Sequence, residues 1–166
     1  MATMKSDIKD CVAAYKQQLA ASDIRIAYEF LIKYVMELKA AFEKMYSAKY
    51  SSGNVSPGYM DFTYFPFSDT YLREKKLRFG IVLNHKAMSF ELWLLGRNAE
   101  VQKRYWNRLK TAKWNKNQPT MPKYSVLEAT LIDNPDFSDT DALTIEIIDA
   151  ADSLASEIIQ YIKGNP

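Results

Sequence analysis

The stretch from Leu77 to Trp106, LRFGIVLNHKAMSFELWLLGRNAEVQKRYW, constrains the fold more than any other part of the chain. Two apolar runs, 77–84 and 88–95, flank the interruption His85-Lys86-Ala87, the pattern of an antiparallel hairpin. A loop centred on Lys86 and Ala87 pairs Asn84 with Ser89, Val82 with Glu91 and Gly80 with Trp93. Cross-strand partners share a face, so Phe79, Ile81, Leu83, Phe90, Leu92 and Leu94 form one apolar surface that helices must cover. The opposite face carries Arg78, Gly80, Val82, Asn84, Ser89, Glu91, Trp93, Leu95 and Arg97. Its mixed polarity makes it the place to expect function, and Trp93 is expected to fill the space over Gly80.

The rest of the chain supplies what covers the apolar face. Residues 4–21 place Ile8, Cys11, Val12, Tyr15 and Leu19 at helical intervals after a Ser6 or Asp7 cap, which predicts a buried stripe that includes the cysteine. Ser22-Asp23 caps a second helix to about Ala48, with Tyr28, Leu31, Val35, Leu38, Phe42 and Met45 in line. It is apolar over much of its circumference, so a place between the first helix and the sheet is expected. A Ser-Gly-Pro-rich loop over 51–58 leads to an alternating strand, Tyr59 to Phe65, that Pro66 should end or hold at an edge. Ser68-Asp69 caps a short turn to Lys76, and Asn98 caps a helix to Ala112 with Val101, Tyr105 and Leu109 inward. A fourth strand is expected over Tyr124 to Ile132, then a capped turn and a last helix carrying Leu143, Ile147, Ala151, Leu154, Ile158 and Ile162 on one stripe. The predicted fold is α+β, in the order α-α-β-β-β-α-β-α, with a mostly antiparallel sheet of about four strands covered by helices. The whole chain, 1–166, is expected to form one domain.

Charge is distributed unevenly. Residues 73–117 hold twelve basic and three acidic side chains, a net of +9, whereas 118–166 hold two basic and nine acidic, a net of −7. Either the two blocks lie close and compensate each other, or the basic one attracts phosphate, nucleic acid or another anionic partner. A lone cysteine excludes an internal disulfide and fits a reducing compartment. No segment reaches the roughly 18 apolar residues of a membrane span, and MATMKSDIKD has no apolar signal core. A cytoplasmic protein without a membrane role is expected.

GYMDFTYF (58–65), IVLNH (81–85) and WLLGRNAEVQKRYW (93–106) resemble the recurrent blocks of a family of small uncharacterised bacterial proteins. The resemblance implies a small stand-alone cytoplasmic domain and no particular activity. The element order also resembles the core of restriction-endonuclease-like nucleases, which hold divalent metal on strand carboxylates and place a lysine two residues after one of them. Asp61 and Glu91 are the carboxylates such an enzyme would use, but Trp93 occupies the lysine position.

Nothing in the chain decides whether it is an enzyme. His85, the lone histidine, joins Asp61 and Glu91 as a catalytic candidate, although a single histidine in a hairpin loop is more often structural. One cysteine and one histidine give no basis for a zinc site, and no phosphate-cradling glycine loop or serine nucleophile elbow implies a cofactor. Recognition is the reading that remains. Arg78, Asn84, Trp93, Arg97, Asn98, Lys103, Arg104 and Trp106 mix aromatic surface with positive charge, suited to nucleic acid or another anion. Trp93, Arg97, Tyr105, Trp106 and Trp114 show the same mixture, unless Trp93 and Tyr105 are simply core. The first reading is therefore a non-enzymatic binding module using the mixed sheet face and the basic helix beside it. A metal-dependent nuclease is the second, and a homodimer that buries Trp93 and Leu95 is the third.

Overall fold

The computed structural model of the chain describes residues 6–21 and 23–166. It divides into two compact units, 1–34 and 35–166. In the first, α1 (Ile8–Ala20) starts at Asp7, whose carboxylate accepts the Lys9 backbone N–H at 3.1 Å. This helix buries none of its residues: Ile8, Val12, Tyr15 and Leu19 are exposed, and so is Cys11. The stripe expected to be buried is therefore exposed. Periodicity shows which side chains share a face, and it does not show that the face is covered. α2 (Asp23–Tyr46) begins in the same unit; Ser22, expected in its cap, lies outside the described residues.

The second unit is built on a five-stranded antiparallel sheet in sequential order: β1 (Ser51–Ser52), β2 (Phe62–Ser68), β3 (Leu77–Asn84), β4 (Ser89–Gly96) and β5 (Leu127–Asp133). The hairpin has the register its alternation predicts, with Asn84 opposite Ser89, Val82 opposite Glu91 and Gly80 opposite Trp93. Its apolar face is the core, where Phe65, Phe79, Leu83, Phe90, Leu92 and Leu94 are fully buried. From α2, Phe42 packs its ring at a tilt against Phe65 and Phe67, with centroids 5.7 and 4.8 Å apart. α5 (Thr140–Gly164) buries its whole stripe from Leu143 to Ile162 apart from Leu154.

The short capped turn expected over 68–76 is α3 (Thr70–Glu74), with Asp69 as its cap, whereas the two-residue β1 was not expected and raises the strand count from four to five. Pro66 neither ends β2 nor lies at the edge. Its carbonyl accepts the Gly53 N–H at 2.8 Å, and N and O of one strand residue point the same way, so its missing donor faces the short β1 side rather than β3. Tyr124 also stays outside β5. Gln102, on α4 (Ala99–Leu109), donates its amide to the carbonyls of Pro122 and Ser125 at 3.0 and 2.9 Å, holding that approach as a loop.

Candidate ligand-binding site

The second face of the sheet carries a small apolar cluster of its own. Val82, Trp93 and Leu95 are buried, with Phe62 and Tyr64 packed over them. These two aromatics come from β2, where Phe62 lies opposite Asn84 and Tyr64 opposite Val82. Trp93 and Leu95 are thus covered within the chain, and burying them needs no second subunit. Tyr64 and Leu95, not Trp93, close on Gly80: a Cβ there would lie 3.3 Å from the Tyr64 ring and 3.4 Å from the Leu95 side chain.

Beside this cluster lies a cavity of about 400 Å³, with Trp93 and Leu95 at its floor and Phe62, Tyr64 and Tyr124 around it. Phe62 meets Trp93 edge-on at 4.8 Å and Tyr124 at 6.5 Å. Tyr59 stands at the rim, 94% exposed. The rim turn depends on Gly58, at φ +70°, where a Cβ would lie 2.2 Å from the Phe62 carbonyl oxygen. One oxygen of Asp61 accepts the backbone N–H groups of Tyr59 and Phe62 at 2.8 and 2.7 Å. Those bonds hold its carboxyl below the usual carboxylate range.

At the other end, Arg78 joins this cavity to a second of about 370 Å³, lined by Arg73, Lys76, Arg78 and Arg97 with no carboxylate. The Arg97 N–H donates to the Lys76 carbonyl at 2.9 Å, bringing the two strand ends together. Arg73 is committed to Ser51, Thr70 and the Ser68 carbonyl. The side chains of Lys76, Arg78 and Arg97 make no hydrogen bond or ion pair with any described residue. Among the described residues, Lys113 with Glu157 is the one ion pair joining the basic block to the acidic one, so compensation by contact leaves this cluster untouched.

The other candidates occupy different surroundings. Glu91 accepts from Asn84 Nδ2 and Ser89 Oγ at 3.0 Å each and from Trp93 Nε1 at 2.7 Å. Its neighbour Glu128, opposite Trp93 on β5, is half-buried; burial foremost, with Glu91 adding to it, pushes its carboxyl above the usual range. His85 Nε2 lies 2.7 Å from Thr63 Oγ1, whose own proton goes to the Pro57 carbonyl. Among the described residues, no three His, Cys, Asp or Glu side chains converge in a way that could hold a metal ion. Asn98 caps α4 by accepting the Val101 N–H. Lys103 is exposed, Arg104 lies over the Tyr105 ring, and Trp106 is half-buried; none of these four lines either cavity. Tyr105 is core, and Trp114 packs edge-on against Tyr161.

A family model, Domain of unknown function (DUF7000), matches residues 8–162. The chain belongs to this family. No curated protein and no solved structure matches this DUF7000 chain. Among its described residues, no helix is long and apolar enough to cross a membrane. Reading the DUF7000 chain as sequence missed Phe62, Tyr64, Tyr124, Arg73 and Lys76 as site residues. Phe62 and Tyr64 had a signal in their alternation with Thr63 and Phe65, which puts them on the mixed face; Tyr124 had none, because a loop delivers it.

Proposed function

We propose that this protein is a non-enzymatic binding module whose mixed sheet face takes a small aromatic anion. The observation that carries the reading is Arg78, an exposed cation without a partner among the described residues, standing where an aromatic cavity meets a basic one. The volume falls within the roughly 300–1,000 Å³ usual for small-molecule sites. Aromatic walls favour a planar ring, and clustered cations without carboxylates repel one another until an anion enters. Asp61 and Glu91, which a nuclease would need, are already engaged by backbone amides and by three neutral donors.

The test is an NMR titration with naphthalene-1-sulfonate, which combines a flat apolar ring with one anionic group. The Trp93 indole N–H is expected to shift, and Arg78→Glu to weaken binding at least about tenfold, or 1.4 kcal/mol. Shifts confined to other surfaces, or an affinity indifferent to Arg78→Glu, overturn the reading.

A further inference from the structure

We infer that the ligand is a nucleoside monophosphate, with its base in the Trp93 cavity and its phosphate on Lys76, Arg78 and Arg97. The inference rests on the binding reading above and adds the class of ligand. Its first support is spacing. Arg78 lies opposite Leu95 and Gly80 opposite Trp93, so Arg78 and Trp93 are two positions out of step on one face. Two strand residues span about 7 Å, a gap that a pentose fills between a base and its 5′-phosphate.

The second support is the polarity of the two ends. Three uncommitted cations meet at one end, and arginine guanidinium groups bind phosphate oxygens in pairs. At the other end Asp61 uses one oxygen for the Tyr59 and Phe62 amides, and its second oxygen takes no hydrogen bond from another described side chain, although His85 is near enough to interact with the carboxylate electrostatically. That oxygen can accept from an exocyclic amino group, which adenine, cytosine and guanine carry and uracil lacks. A plain aryl phosphate offers it nothing.

The third is that the cations do not track a backbone. A groove for single-stranded nucleic acid repeats positive charge along its length. Here the charge is concentrated at one end, and the Asp61 carboxylate at the other would repel a second phosphate. The arrangement accommodates one phosphate and one base.

Calorimetric titration of the full chain with AMP, CMP, GMP and UMP, the matching nucleosides, phenyl phosphate and a DNA hexanucleotide tests this. At least one amino-bearing monophosphate is expected to bind ten times or more tightly than its nucleoside, than UMP and than phenyl phosphate. Arg78→Gln and Arg97→Gln are exposed changes; each should reduce that affinity toward the nucleoside's while leaving nucleoside binding within about twofold. Equal affinity for nucleotide and nucleoside overturns the inference, as does tighter binding of the hexanucleotide or of phenyl phosphate. If no nucleotide binds but naphthalene-1-sulfonate still shifts Trp93, the inference fails and the binding reading stands. If neither binds, both fail.

Discussion

Trp93 donates its indole N–H to the Glu91 carboxylate at 2.7 Å, along one strand and on one face. The bond fixes the ring at the cavity floor and supplies one of three donors to a half-buried acid. Trp93→Phe keeps an aromatic ring and removes that donor. A loss of about 1–3 kcal/mol is expected, since the carboxylate oxygen then lacks its partner. Urea unfolding at pH 7 measures it, and a change within error would mean that the bond contributes nothing net.

Glu128 predicts a pH effect of opposite sign to that of an ordinary paired acid. Burial, assisted by Glu91, raises its pKa above 4.5, while the Ser125 hydroxyl opposes the shift. The folded state therefore holds a proton that the unfolded chain has already lost, and stability falls as pH rises from 4.5 through the folded value. Glu128→Gln keeps an acceptor for Ser125 and removes the charge. The variant should be more stable than the natural protein at pH 7, with the advantage disappearing by pH 4. Paired thermal melts at the two pH values decide it.

His85 produces a slope in the other direction. Burial lowers its pKa below 6.5, with Asp61 pulling weakly the opposite way. Because Thr63 gives its proton to Pro57, the neutral ring must donate from Nε2 to Thr63 Oγ1. The unfolded chain takes up a proton first as pH drops, so this contribution is complete above about 6.5 and is lost between there and the folded pKa. Urea midpoints from pH 8 to pH 5 should decline, and His85→Gln should flatten that part of the curve. An unchanged slope would assign the titration elsewhere.

The hairpin was legible because its alternation covers both strands and its loop admits one register, so face and partner follow together. Asn98 was legible as a cap, and Asp7 and Asp69 each as one of an adjacent pair, for a local reason: each side chain accepts a backbone N–H in the first turn that follows it. The site was legible in part. Arg78, Trp93 and Arg97 follow from strand phase, whereas Lys76 reaches the cluster only because its carbonyl takes the Arg97 N–H across the strand ends. Tyr124 arrives through Gln102, which grips carbonyls twenty residues away or more. Such contacts depend on tertiary placement and leave no period in the sequence. The exposed line on α1 shows the converse, a clear period without burial.

Asp61 belongs to the rim turn and Glu91 to the Asn84–Ser89–Trp93 group, and among the described residues neither carboxylate joins a group of three that could hold a metal ion. Single- and double-stranded DNA incubated with Mg²⁺ should remain intact on gels. Mg²⁺-dependent cleavage lost on Asp61→Ala or Glu91→Ala would make the enzyme the leading reading in place of the binding module.

Gly96 links stability to the site. It ends β4 directly before Arg97, and a Cβ there would lie 2.6 Å from the Gln102 backbone nitrogen and 2.9 Å from its Cα. These are backbone atoms in the first turns of α4 and cannot swing aside as a flexible side chain would, so Gly96→Ala must push strand and helix apart. Overpacking of this kind costs about 1–3 kcal/mol. The displacement also acts on Arg97, which is tied through its N–H to Lys76, and on Gln102, which holds the loop carrying Tyr124. Gly96→Ala should therefore lower the urea midpoint and weaken naphthalene-1-sulfonate binding together. Gly164→Ala is the control, because a Cβ there meets nothing within 4 Å. Its binding should match that of the natural protein, and equal losses in both variants would show that the close approach at Gly96 is not what positions the cations.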